Sequence, residues 1–298
     1  MNRIDPLPLP PMDELTGTHR GDRSIGAILV DSGRLTPANA ESILRFQKQH
    51  GKRFGDAALE LGLLNHDDIR FALASQFDYP TVPENDTRLD RRLIAAFRPD
   101  ASIVEQLRGL RSQLVLRWFE AAKAHKTLAV VSPGAEEGRS FIAANLAIVF
   151  SQLGERTLLI DADLRSPVQH ELFKLGRSAG LSGILSGRAG GEAVMRVSSL
   201  RALSILPAGA TPPNPQELLG RRIFNETLHA ACRSFDVVII DTPPASEYAD
   251  ALTVAVRARG ALVVARKNRS SLSALKALTR NLKNSCTIVG SVLNDISR

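Results

Sequence analysis

The sequence predicts an α/β fold, a mostly parallel sheet with helices on both faces, preceded by a small all-α domain. Three observations carry that expectation. Residues 126–145, KTLAVVSPGAEEGRSFIAAN, read as a buried strand, a loop of small residues and a helix. Two further apolar runs, 156–163 and 237–241, each end in aspartate. Apolar strand-like and amphipathic helix-like segments then alternate to the end of the chain, the pattern of parallel strands joined by crossover helices. The all-α domain is predicted from an internal repeat in residues 23–80.

The chain has 298 residues, 44% of them hydrophobic and 23% charged, enough to bury one large or two modest cores. The net charge of +7 suits an anionic partner, nucleotide included, while an aromatic content of only 5% argues against a stacking platform for single-stranded nucleic acid. Cys232 and Cys286 have no metal-ligand spacing and read as free thiols of a reducing compartment. The N-terminus lacks the apolar core of a signal peptide, and no window of about 18 residues is free of charge, so no transmembrane helix is expected. A membrane role would come through a partner.

Residues 1–22 are rich in Pro, Asp, Gly and Arg and are expected to be a disordered tail. In the repeat, SIGAILVDSGRLT from Ser24 aligns with RFGDAALELGLLN from Arg53, pairing Gly26 with Gly55, Gly33 with Gly62, Leu35 with Leu64 and Gln47 with Gln76. Each unit reads as a helix, a glycine stop, a cap (Thr36 or Asn65) and a second helix. Residues 81–100 mix Pro, Asp, Arg and Asn around one short apolar patch and are expected to be a linker. Residues 101–119 carry Ile103, Val104, Leu107, Leu110, Leu114 and Val115 at helical spacing. Glu105, Arg108 and Arg111, at steps of three, share one face of that helix.

In the loop after the first strand, Gly138-Arg139-Ser140 opens a helix. The unpaired N–H groups and positive dipole end of a helix's first turn attract phosphate oxygens, and a serine hydroxyl there suits Mg²⁺. This is the layout of a P-loop NTPase, with two departures: Pro133 stands at the motif's first glycine and Arg139 at its lysine. Downstream, Asp161 and Asp163 close one strand and Asp241 closes another. Acids at the C-terminal ends of parallel strands lie where α/β sheets place their ligands. Three such carboxylates downstream of the loop make a nucleotide–Mg²⁺ site the expected function. Beyond them, strands are predicted at 203–206, 261–265 and 287–293, and helices at 215–234, 248–259 and 271–284.

Taken together, these motifs resemble the bacterial tyrosine kinases, the BY-kinases of exopolysaccharide synthesis, and more narrowly their cytoplasmic chain-length-determinant subfamily. The resemblance covers roughly residues 101–298. It rests on the loop 132–140, LLIDADLRSP at 158–167, LPAGATPPNPQELL at 206–219, VVIIDTPP at 237–244 and Glu105-x₂-Arg108-x₂-Arg111. It implies an ATP-dependent protein-tyrosine kinase of Mg²⁺-ATP. Gly134, Ala135, Glu136, Glu137, Gly138, Arg139, Ser140 and Phe141 would contact ATP. Ser140, Asp161 and Asp241 would serve the metal, Asp163 would be the base or orient the tyrosine hydroxyl, and Arg139 would take the place of the phosphate-bridging lysine. It further implies a ring-like homo-oligomer through Glu105, Arg108 and Arg111. The partner implied is a membrane polysaccharide co-polymerase, which would hold the chain in the cytoplasm at the inner membrane.

The repeat resembles the N-terminal domain of type II secretion and type IV pilus ATPases, where paired "RLGxxL" motifs bind cyclic di-GMP in some members. Here Arg53, Phe54 and Gly55 keep the motif, but Ser24-Ile25-Gly26 lacks its arginine, so a docking module is expected and a dinucleotide sensor is the alternative. Family kinases also end in a tyrosine cluster, whereas this chain has two tyrosines, Tyr79 and Tyr248. That departure and Arg139 leave a second reading open, a catalytically weak ATP-dependent scaffold or switch. A nucleic-acid-partitioning ATPase is disfavoured because Ser132-Pro133-Gly134 lacks the second lysine such loops carry.

Overall fold

The computed structural model describes residues 24–76, 80–83, 86–122 and 125–295, so the expected tail and Tyr79 lie outside the described residues. The chain divides into two compact units, one ending at Asp86 and the other running from Thr87.

The N-terminal unit has four helices: α1 (Ile25–Asp31), α2 (Pro37–His50), α3 (Phe54–Glu60) and α4 (His66–Gln76). The capping chemistry is as the repeat implies. The Asn39 amide donates to Thr36 Oγ1 at 3.2 Å, with Pro37 at the first helical position. The Asp68 amide donates to Asn65 Oδ1 at 2.9 Å and the Asn65 amide to Asp68 Oδ2 at 3.1 Å, a reciprocal capping box. Gly33 and Gly62 end the first helix of each unit at φ 71° and 64°, a left-handed turn that a side chain would resist. The core is built from repeat-related pairs, Leu29 with Ala58, Leu35 with Leu64 and Ile43 with Ala72, all buried. α1 packs on α4, and α2 on α3.

The second unit is built on a seven-stranded sheet in the order β3-β4-β2-β5-β1-β6-β7. Its strands are β1 (Thr127–Val131), β2 (Thr157–Asp161), β3 (Met195–Arg196), β4 (Leu203–Leu206), β5 (Val237–Asp241), β6 (Gly260–Arg266) and β7 (Thr287–Asn294). Every pairing is parallel except β3 with β4. β1, β2, β4 and β5 are buried along nearly their whole length, which explains their continuous rather than alternating apolar sequence. One face, including Ala129, Val131, Leu158, Ile160, Val238 and Ile240, packs into a core with residues of helices 180–185, 222–234 and 250–258. The opposite face meets α7 (Arg139–Ser151), which also touches α6 (Ser102–Leu114). Helices therefore lie on both faces, as the sequence predicts.

Several boundaries differ from expectation. The linker predicted over 81–100 is not one beyond Thr87. Leu89, Leu93, Ala95, Ala96 and Phe97 are buried, and Ile94–Phe97 forms the short helix α5. Asn145 of α7 holds this stretch. Its Oδ1 accepts from the Ala95 amide at 3.0 Å and its Nδ2 donates to Arg92 O at 3.1 Å, while Gln152 Nε2 donates to Ala95 O at 2.9 Å. The short apolar patch is buried against α7, which is itself apolar nearly all round. After α6 the chain widens into a π-helical turn, Val115–Phe119, and buried Trp118 donates from Nε1 to Thr127 O at 3.0 Å. The predicted helix 215–234 is two helices, α10 (Pro215–Gly220) and α11 (Arg222–Ser234), because Arg221 is extended at ψ 155°. The remaining helices are α8 (Gln169–Leu172), α9 (Gly180–Leu185), α12 (Asp250–Ala258) and α13 (Leu272–Lys283).

Candidate active site

The register of the sheet builds the site. β2 and β5 are neighbours, and Asp161 stands directly opposite Asp241 across their ladder. β1 lies on the other side of β5 and delivers the loop 132–138, which opens into α7. The loop and all three aspartates therefore meet at the C-terminal edge of the sheet, where parallel α/β folds bind ligands.

The loop's shape is fixed from several directions. Gly138 has φ 90°, and a Cβ there would stand 2.0 Å from Asn294 Nδ2, so both conformation and space demand glycine. That Asn294 amide, at the end of β7, donates to Glu137 O at 3.0 Å. Glu137 is buried, and its carboxylate accepts from the Gly134 amide at 2.9 Å and from the Ser270 hydroxyl. Glu136, at φ 58°, is held by Arg266 Nη1 donating to its carbonyl at 3.1 Å and by an ion pair with Arg269 at 2.7 Å. Ala135 is exposed, while Gly134, Ser140 and Phe141 are half-buried.

Arg139 is buried at 7% exposure. Nη1 donates to Ser132 Oγ at 2.7 Å, and the guanidinium lies 3.6 Å from both Asp163 Oδ2 and Asp241 Oδ1. Asp163 Oδ1 accepts from the amides of Ser166 at 2.9 Å and Arg165 at 3.2 Å, so one oxygen is anchored while the other faces Arg139. Asp161 Oδ1 accepts from the Asp163 amide at 3.2 Å. Arg165 forks onto Asp250 at 2.8 and 3.3 Å and its guanidinium lies 3.9 Å over the Tyr248 ring. This joins the loop after β2 to the segment 248–250 that follows β5.

Burial first, and then the negative charge of Asp241, push the Asp161 carboxyl well above the usual range. Burial also raises Asp241, against the opposing pull of Arg139, Gln169 and Ser140. A carboxyl raised on folding favours the fold most at low pH and loses that contribution as pH climbs through its folded value. Cation-free protein should therefore lose melting temperature above about pH 4 relative to an Asp241→Asn variant. Thermal melts of both across pH would measure a gap that widens upward; a constant gap would remove the repulsion from the account.

The donor set fits a hard divalent cation. Asp241 Oδ1, Gln169 Oε1 and Arg139 Nε are buried without a hydrogen-bond partner around the Asp161–Asp241 pair. Unsatisfied buried acceptors are rare and call for a donor or an ion. Among the described residues no three His, Cys, Asp or Glu side chains converge as a complete metal cage. Mg²⁺ needs none, because it is commonly held by one or two carboxylates, waters and the substrate's phosphates.

Of the residues predicted for the site, the loop, Arg139, Ser140, Asp161, Asp163 and Asp241 come together. The predicted oligomer triplet is engaged within the chain. Arg108 pairs with Glu105 at 2.9 Å, and Arg111 Nη1 donates to Val149 O at 2.7 Å near the end of α7. Arg53 is exposed at the start of α3 and Gly55 packs against Ile69. Sequence reasoning missed Gln169, which touches Asp161, Asp241 and Ser140. It lies on a one-turn helix with no motif to mark it.

The profile of the CobQ/CobB/MinD/ParA nucleotide binding domain matches residues 128–298. The tyrosine-protein kinase YwqD of Bacillus subtilis is 37% identical over 178 residues, 60% of this chain and 74% of that one. The tyrosine-protein kinase wzc of Salmonella typhimurium is 36% identical over 208 residues, 70% of this chain but only 29% of that much longer protein. Among solved structures, the kinase domain of the Escherichia coli tyrosine kinase ETK superposes with a TM-score of 0.65 at 29% identity, covering 73% of this chain and 81% of that one. The chimerical protein CapA2B2 gives the same score, 0.65, at 28% identity over 76% of this chain and 98% of that one. The profile begins at Leu128 and leaves the helical repeat uncovered.

Proposed function

Since this chain belongs to the CobQ/CobB/MinD/ParA nucleotide-binding family and, within it, to the bacterial tyrosine kinases, we propose that it transfers the γ-phosphoryl group of ATP to protein tyrosine. The observation that carries the reading is the arrangement at the sheet edge: Asp163 beside the paired Asp161 and Asp241, with the helix start of α7 carrying Arg139 and Ser140. In this reading the tyrosine oxygen bonds to the γ-phosphorus, the bond to the bridging oxygen breaks, ADP leaves and the phenolic proton passes to Asp163. The anchored Oδ1 fixes the carboxylate so that Oδ2 can take the proton. The first-turn amides of α7 and the Arg139 guanidinium neutralise phosphate charge. Ser140, Asp161 and Asp241 would hold Mg²⁺, which would supply neutralisation of phosphate charge.

The biological setting in this proposal is control of exopolysaccharide chain length with a membrane co-polymerase. No helix among the described residues is long and apolar enough to cross a membrane, and a partner would supply the attachment. A putative tyrosine-protein kinase in the cps region of Klebsiella pneumoniae and the putative tyrosine-protein kinase EpsB of Ralstonia solanacearum are among the relatives that support this setting. Self-assembly through the α6 face and docking through the N-terminal repeat belong to the same proposal, as does cyclic di-GMP at Arg53 in its alternative form.

One observation favours a second reading. Arg139 sits between two carboxylates and on Ser132, so its charge is already neutralised by the protein. A nucleotide-gated scaffold with weak transfer would follow if that grip persists. Incubating the purified chain with Mg²⁺-ATP and the cytoplasmic segment of a co-encoded membrane partner separates the two. Phosphotyrosine seen by mass spectrometry supports the kinase and identifies its acceptor. ATP binding with no phosphotyrosine leaves the scaffold.

A further inference from the structure

We propose that Gln169 is a positioning residue for the divalent cation, one that ties its three candidate ligands together and uses its own free carbonyl to hold a cation-bound water. The inference rests on the nucleotide–Mg²⁺ reading of the site. Gln169 is fully buried. Its backbone amide donates to Asp161 Oδ2 at 3.0 Å. Its side-chain amide donates to Asp241 Oδ2 at 2.8 Å and to the Ser140 carbonyl at 3.1 Å. Asp161, Asp241 and Ser140 come from three separate elements, β2, β5 and α7. No other described hydrogen bond set joins all three.

Each bond does something specific. Held at Oδ2, Asp241 is left with an Oδ1 that has no hydrogen-bond partner and faces the Arg139 guanidinium at 3.6 Å. The bond to the Ser140 carbonyl fixes the first turn of α7 against the carboxylates, which sets where the Ser140 hydroxyl can reach. Gln169 Oε1 is itself a buried acceptor lacking a donor. A carbonyl left so forfeits the solvation it would have in water. Water on a divalent cation is a strong donor, and Mg²⁺ keeps several of its waters when bound to protein. The two acceptors without a hydrogen-bond donor, Asp241 Oδ1 and Gln169 Oε1, belong to residues already joined by a hydrogen bond, so a single hydrated cation that takes the place of Arg139 beside Asp241 can answer both. Groups that orient metal ligands typically change metal affinity by about 10–100-fold when removed.

The test reads the cation and not phosphotransfer. Mn²⁺ binding in the presence of ADP is followed by electron paramagnetic resonance, and ADP binding without metal by calorimetry. Wild type is compared with Gln169→Met, which keeps the volume, and with Gln169→Ala. The expected result is about 10–100-fold weaker Mn²⁺ binding in both variants with metal-free ADP affinity within about twofold. Unchanged Mn²⁺ affinity in folded variants would overturn the proposal, and so would parallel loss of metal-free ADP binding, which marks a merely structural residue. Failure of the wild type itself to bind Mn²⁺ with ADP would instead remove the nucleotide–metal reading on which the proposal stands.

Discussion

Asp163→Asn should lower tyrosine phosphorylation by about 10²–10⁴-fold, the scale of a lost general base, while ATP binding stays within about twofold. The substitution is conservative in shape. Asn Oδ1 still accepts from the amides of Arg165 and Ser166, so the loop after β2 keeps its form. What disappears is the negative oxygen facing Arg139 at 3.6 Å. An amide cannot take the phenolic proton, and its neutral head no longer pairs with the guanidinium. Phosphotransfer is measured by mass spectrometry of the acceptor and nucleotide affinity by calorimetry. Transfer that persists in the variant would rule out the role assigned to Asp163. A variant that gains ATP affinity would show that Asp163 holds Arg139 away from phosphate, the competition on which the scaffold reading depends.

The second large effect concerns stability. Asn145→Leu should destabilise the second unit by about 2–4 kcal/mol, since it leaves buried backbone groups without partners at about 1–3 kcal/mol each. Asn145 is fully buried and its side chain satisfies the Ala95 amide and the Arg92 carbonyl. Leucine keeps the branching of the side chain but its methyl groups are bulkier, so lost hydrogen bonds and some overpacking both contribute. Thermal melting should fall by about 5–15 °C, at about 2–4 °C per kcal/mol for a domain of this size. Limited proteolysis should open near 87–97 before the rest of the unit. Unaltered melting would mean that the apolar contacts of Leu93 and Phe97 alone hold this stretch.

That stretch shows where the sequence was hard to read. Leu89, Leu93, Ile94, Ala95, Ala96 and Phe97 are interrupted by Asp90, Arg91 and Arg92, and so few apolar residues fit neither a helical nor a strand period. Their burial depends on α7, more than forty positions away, and no local pattern reports that. The strands were legible because parallel strands buried on both faces must be apolar throughout, as at Leu158–Ile160 and Val237–Ile240. The aspartates closing them were legible for the same reason, since a charge after such a run has few structural explanations. The pairing of Asp161 with Asp241 was not, because register is a property of two strands and not of either one. Gln169 was hidden for a related reason: an uncharged polar residue acquires meaning only from the three distant groups it reaches. The break at Arg221 follows Gly220, a residue unfavourable within a helix and common at helix ends, so this boundary did carry a sequence signal.

The bond from Asn294 to the Glu137 carbonyl spans 157 positions of chain. It has a consequence for biosynthesis. On a ribosome the phosphate loop emerges long before β7, so the nascent protein must carry the loop without the strand end that fixes it. Contacts this far apart in sequence form late, after the entropy of closing the intervening chain has been met. The loop's final geometry is therefore set only when the sheet edge is complete. Until then the loop has its contacts with Arg266 and Ser270 but lacks the one from the end of β7.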